Sequence, residues 1–73
     1  MARLIGVDGE RLRHLRQERA LSLRDLGRES GVAYDTISHL ERGNREAQPR
    51  TVRKLAEALG VEPRELVKGE EDE

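Results

Sequence analysis

Aliphatic side chains recur along this chain at helical spacing. Leu12 and Leu15, with Ala20 and Leu21 just beyond, follow that spacing, as do Leu23 with Leu26 and Ile37 with Leu40. Val52, Leu55, Ala56 and Leu59 form the cleanest stripe, at i, i+3, i+4 and i+7, which puts all four on one face of a helix. No alternating run of β-branched residues is long enough to make a strand. The pattern predicts an all-α fold of five short helices.

The polar and special residues between the stripes supply starts and stops. Asp8 is placed to cap a first helix running to about residue 19. Ser22-Leu23-Arg24-Asp25 is a capping-box variant for the second, which ends at Gly31. A third runs from about residue 34 to 42 and stops at Gly43. Pro49 suits the first position of a fourth, closed by Gly60, and Pro63 opens a short fifth with Val61 and Leu66 at staple spacing. The chain divides into a head (residues 1–8), a helical domain (9–68) and an acidic tail (69–73), with head and tail expected to be weakly tied down.

Composition narrows the chemistry. With 73 residues, 34% of them hydrophobic and 40% charged, the chain holds one small domain with a modest core and no room for a deep catalytic pocket. The absence of cysteine excludes disulfide scaffolds, thiolate metal sites and thiol nucleophiles. His14 and His39 are the only histidines and lack metal-ligand spacing, so neither metal nor cofactor is expected and the protein is read as a non-enzyme. No apolar run approaches the length of a membrane span, and a cytoplasmic chain is expected. The net charge of -1 conceals a partition. Residues 62–73 carry two basic and six acidic groups, and the remaining body is mildly basic.

Only Gly31-Val32-Ala33 separates the second and third helices, which forces a sharp turn between two helices that share one core. That is helix-turn-helix spacing, in which the later helix presents a free face to the DNA major groove. The runs Leu23-Arg24-Asp25-Leu26-Gly27, Ser30-Gly31-Val32, Thr36-Ile37-Ser38 and Leu40-Glu41-Arg42-Gly43 closely resemble the phage-repressor/Cro-like (xenobiotic-response-element type) regulators. The likeness continues through Leu12-Arg13-His14-Leu15-Arg16 and Leu55-Ala56-Glu57-Ala58-Leu59-Gly60-Val61, and covers roughly residues 9 to 68. It implies a compact five-helix DNA-binding domain acting as a transcriptional regulator, usually a repressor and a homodimer on a pseudo-palindromic double-stranded operator.

Carried over position by position, the resemblance places Tyr34, Asp35, Thr36, Ser38 and His39 against DNA bases. A carboxylate at Asp35 can accept from the cytosine amino group, or simply stabilise the positive end of its helix. Tyr34 can pack on a thymine methyl or hydrogen-bond a phosphate. Phosphate contacts fall to Arg24, Arg42, Arg45 and Arg50. From Arg42 to Lys54 five basic residues face one acid, Glu46, so this stretch is either a phosphate clamp or a solvated charged surface. In similar proteins the positions of Arg16 and Glu41 form an ion pair beneath the motif. Leu66 and Val67 are the expected dimer interface. Three residues depart from the family's habit. Ala20 and Ala33 stand where glycine and a capping Ser or Thr are common, and Gly27 replaces the commoner alanine, which permits closer helix approach. The rival reading is a protein-interaction module, such as an antitoxin or a regulator accessory, that uses this fold to bind a protein partner.

Overall fold

A computed structural model describes residues 3–68. Four α-helices follow in chain order: α1 (Gly9–Glu18), α2 (Leu23–Ser30), α3 (Tyr34–Glu41) and α4 (Pro49–Leu59), then a 3₁₀ turn (Pro63–Leu66). The fifth helix expected from the sequence is therefore a single turn. Pro63 fixes its start, and Val67 is already extended at φ -86, ψ 137, which leaves four residues in between. α2 packs on both α3 and α4, while α1 packs on α3 and on the 3₁₀ turn.

The stripes read from the sequence form the core. Leu12, Leu26, Ile37, Leu40, Leu55, Leu59 and Leu66 are fully buried, joined by Leu15, Val32, Val52 and Ala56. No buried polar or charged residue interrupts them among the described residues. At about 25 cal/mol per Å² of apolar surface removed from water, burying each such leucine stabilises by roughly 1.5–3 kcal/mol. Among the described residues no helix is long and apolar enough to cross a membrane.

Helix ends follow their signals closely. The Asp8 carboxylate accepts from the Arg11 amide at 3.1 Å. The Ser22 hydroxyl accepts from the Asp25 amide, and the Asp25 carboxylate from the Ser22 amide, both at 3.0 Å. The short aspartate thus completes the reciprocal box. These bonds hold the Asp25 carboxyl below its usual range, the backbone amide of Ser22 contributing most. Three helices share one C-terminal stop, a left-handed residue with paired backbone bonds reaching back into the last turn. It is Gly43 after α3 and Gly60 after α4, but Ala20 after α1, at φ 55. After α1 the Ala20 amide donates to the Gln17 carbonyl (2.9 Å) and the Leu21 amide to the Arg16 carbonyl (3.1 Å).

The head is where the sequence expectation needs correcting. Its last four residues are integral to the fold. Ile5 exchanges two backbone hydrogen bonds with Ala47 (2.7 and 2.9 Å), and Val7 pairs antiparallel with Val67. The Asp8 amide donates to the Leu66 carbonyl at 2.8 Å, and Val7 and Ala47 are buried in the core. Pairs this short carry no alternating pattern long enough to register as strands. The acidic tail expected at 69–73 lies outside the described residues.

Candidate nucleic-acid interface

α2 and α3 meet across a three-residue turn whose middle residue, Val32, is buried. The close approach depends on Gly27. A methyl group there would meet the Val32 carbonyl oxygen at 3.0 Å and the Cβ of Tyr34 at 3.5 Å. α3 turns Ile37 and Leu40 inward and leaves the opposite side in solvent. Tyr34 and Asp35 are exposed, while Thr36, Ser38 and His39 are half-exposed along the same helix. All five residues assigned to base contact from the sequence are thus accessible. No side chain caps α3, since Ala33 at its N-cap offers none.

The exposed face has two flanks. On one, the Arg24 guanidinium lies over the Tyr34 ring, 4.5 Å from its centroid. On the other, Thr36 borders a shallow groove shared with Arg45, Gln48, Thr51 and Lys54. Sequence reading had not singled out Gln48, Thr51 or Lys54 as groove-lining. Lys54 is counted in the basic stretch from Arg42 to Lys54, whereas Gln48 and Thr51 have no signal beyond their place at the start of α4. At the far end of α3 the Arg42 guanidinium donates to the Ser38 hydroxyl at 2.8 Å.

Beneath α3, Arg16 and Glu41 form a two-pronged ion pair. Nε donates to one carboxylate oxygen at 2.6 Å and Nη2 to the other at 3.0 Å, while Nη1 donates to the Leu21 carbonyl at 2.8 Å. Both side chains are largely shielded, at 12% and 8% exposure. The hydrogen bonds to Glu41 raise the arginine's pKa further. A second brace was not apparent from the sequence. A Cβ at Gly9, the first residue of α1, would overlap the carbonyl oxygens of Leu40 and Glu41. The positive end of α1 therefore abuts the negative end of α3, an arrangement that helix dipoles favour. α1 grips the last turn of α3 both by side chain and by backbone.

Basic residues divide by location. Arg11, Arg16 and Arg28 each sit within 3 Å of a carboxylate, on Glu65, Glu41 and Asp25 respectively. Arg42, Arg45, Arg50, Arg53 and Lys54 have no carboxylate partner among the described residues. Four of these five are on the loop and helix that follow α3, and all five are exposed.

The dimer-interface assignment requires correction. Leu66 is wholly buried and belongs to the core, because the 3₁₀ turn folds it under α4. Val67 is half-buried against that core and pairs with Val7. Leu66 presents no free apolar surface, while Val67 keeps part of its side chain exposed.

The fold has close counterparts. A family model described as a helix-turn-helix domain matches residues 9–68. The chain belongs to that helix-turn-helix family. Among curated relatives, the HTH-type transcriptional repressor RghR of Bacillus subtilis is 48% identical over 54 residues, which is 73% of this chain and 40% of that protein. The HTH-type transcriptional regulator DdrOP3 of Deinococcus deserti is 39% identical over 62 residues, 85% of this chain and 48% of its own length. This helix-turn-helix chain thus spans less than half of either relative. Among solved structures, the restriction-modification controller protein C.AhdI from Aeromonas hydrophila superposes with a TM-score of 0.75 at 42% identity, covering 78% of this chain and 86% of that one.

Proposed function

We propose that this helix-turn-helix domain binds double-stranded DNA and regulates transcription, most simply as a repressor, with α3 lying in the major groove. The observation that carries the reading is the pairing of a braced, solvent-facing α3 with a run of exposed basic residues that have no acidic partner among the described residues. Tyr34, Asp35, Thr36, Ser38 and His39 meet base edges, and Arg24, Arg42, Arg45 and Arg50 reach phosphates or the groove wall. Lys54 extends the phosphate-facing flank. A single α3 covers few base pairs, so two copies engage half-sites about 34 Å apart on a pseudo-palindromic operator. Leu66 belongs to the core, so the dimer contact falls to Val67 and other surface residues.

The test follows binding to duplex DNA as salt is varied. Tyr34 is the only aromatic residue in the chain, so its fluorescence reports this face alone. Several phosphate contacts give a steep fall in affinity with salt, each adding about 0.9 to the log–log slope. Sedimentation of the free and bound protein checks the two-copy stoichiometry. If neither random nor selected duplexes bind at low ionic strength, the DNA reading fails and the protein-partner role replaces it.

A further inference from the structure

Arg24 and Tyr34 come from different helices and meet at the edge of the α3 face. Three features lock them together. Arg24, Gly27 and Arg28 lie on one face of α2, at i, i+3 and i+4 spacing, and Tyr34 lines the same surface depression as all three. Gly27 lets the turn that carries Tyr34 pack tightly on α2, since a methyl there would stand 3.0 Å from the Val32 carbonyl oxygen and in ordinary contact, 3.5 Å, with the Tyr34 Cβ. Arg28 is held at 2.6 Å by the Asp25 carboxylate, and Asp25 is itself engaged in the Ser22 cap. That leaves Arg24, which has no carboxylate partner among the described residues, as the cation over the ring. Stacking of this kind orients the planar guanidinium without using up its N–H donors.

We propose that Arg24 and Tyr34 act as one composite reader of a thymine–guanine step, with Arg24 on the guanine and Tyr34 on the thymine methyl. The inference rests on the DNA-binding reading above and changes the role of Arg24 within it, from phosphate contact to base contact. Spacing supports it. The guanidinium carbon stands 4.5 Å from the ring centroid. Neighbouring base pairs are about 3.4 Å apart, and second neighbours about 7 Å. Two side chains this close together can reach adjacent base pairs. The chemistry of each partner then selects its base. A guanidinium fork matches the O6 and N7 acceptors of guanine, and an aromatic ring suits the thymine C5 methyl. Tyr34 is 45% exposed, so the pair is open to a ligand even while it is internally ordered.

Selection of bound sequences from a random duplex library, with the full chain and with Arg24→Ala, Arg24→Lys, Tyr34→Ala and Tyr34→Phe, tests the proposal. The wild-type half-site is expected to contain a thymine–guanine step. Arg24→Ala and Arg24→Lys lose the guanine preference by about tenfold or more, since lysine has the charge without the planar fork. Tyr34→Ala loses the thymine preference, and Tyr34→Phe retains it. Both positions are on the surface, and thermal unfolding of each variant confirms that the fold is kept. The proposal is overturned if Arg24→Ala leaves the selected sequence unchanged while lowering the salt slope by about one phosphate contact. A selected half-site without the step overturns it too. In both cases wild-type binding persists and the broader DNA reading stands. Absence of wild-type binding to any duplex removes both.

Discussion

The two sides of α3 use the same residue types for opposite purposes. On the α1 side, Arg16 and Arg11 are matched within the chain, while Arg13 is exposed without a carboxylate partner among the described residues. Arg16 holds Glu41 through two hydrogen bonds, Arg11 holds Glu65 at 2.9 Å, and α1 abuts α3 end to end through Gly9. On the α4 side, Arg45, Arg50, Arg53 and Lys54 stand exposed without acidic partners among the described residues. An arginine that is shielded and satisfied sets the position of an element. One that is exposed and unmatched is available to an anion from outside. The difference teaches that abundance of charge says little here, and that pairing and place in the fold together assign each charge its role.

Breaking the matched side has the largest effect. Glu41→Gln keeps the shape of the side chain but leaves Arg16 shielded without its counter-charge. A cost of about 3 kcal/mol is expected. At roughly 4–8 °C per kcal/mol for a domain this small, thermal unfolding detects it readily. A double variant, Arg16→Met with Glu41→Leu, recovers much of that loss because neither charge is then left alone. No recovery would mean that the specific hydrogen bonds, rather than the unpaired charge, carry the stability. Gly9→Ala comes next. Its methyl has to displace the last carbonyls of α3, at about 1–3 kcal/mol by analogy with overpacked cores. Because the displaced turn is the one that ends in Arg42, DNA affinity falls further than the stability loss alone explains.

The sequence made these sides unequally legible. Helical stripes and caps require only local spacing, so α1 to α4 and their stops were readable, including the Ser22–Asp25 box. The ion pair at Arg16 and Glu41 came from family resemblance, because residues 25 positions apart leave no local signature. Gly9 was unreadable for a related reason. A glycine demanded by a neighbouring helix looks no different from one demanded by a turn. The pairings of Ile5 with Ala47 and Val7 with Val67 were also hidden, being non-local and too short to show alternation. Leu66 shows the converse error. A terminal apolar residue in a short, proline-initiated element reads as spare surface, yet its neighbour Val67 pairs back with Val7 and pulls it into the core.

Smaller changes sharpen the comparison on the matched side. Ala20 adopts φ 55 in the same kind of stop that uses glycine after α3 and α4. A side chain in the left-handed region costs about 1–2 kcal/mol, part of which returns as extra unfolded-state entropy when glycine replaces it. Ala20→Gly is therefore expected to stabilise by about 0.5–1 kcal/mol, read as a higher midpoint in urea. An unchanged midpoint would mean that the turn is held by Arg16 and Leu21 regardless of φ. Acid pH produces a weaker effect. The Asp25 and Glu65 carboxyls are both held below their usual range, the first mainly by the Ser22 amide and the second mainly by Arg11. In the folded state they stay ionised where the unfolded chain has begun to bind protons, so stability rises with pH across that window. Their contribution is intact above the ordinary carboxylate range and is lost as pH falls from about 4 through the lower folded values. Asp25→Asn removes its share of this slope.

The unmatched side is expected to give almost no stability signal, which is what distinguishes it. Arg45→Ala removes an exposed charge with no carboxylate partner among the described residues, and unfolding should shift by less than about 0.5 kcal/mol. Its effect lies in binding. One lost phosphate contact lowers the magnitude of the salt slope by about 0.9 and weakens all duplex sequences alike, leaving the selected half-site unchanged. Arg13→Ala is the matching control, since Arg13 is also exposed and unpaired among the described residues but belongs to α1. It should leave both the stability and the salt slope close to those of the wild type. If Arg13→Ala flattens the slope as much as Arg45→Ala does, net charge rather than placement governs binding, and the division between the two sides of α3 loses its meaning. If instead Arg45→Ala alone flattens it, the phosphate-facing side is fixed by position in the fold.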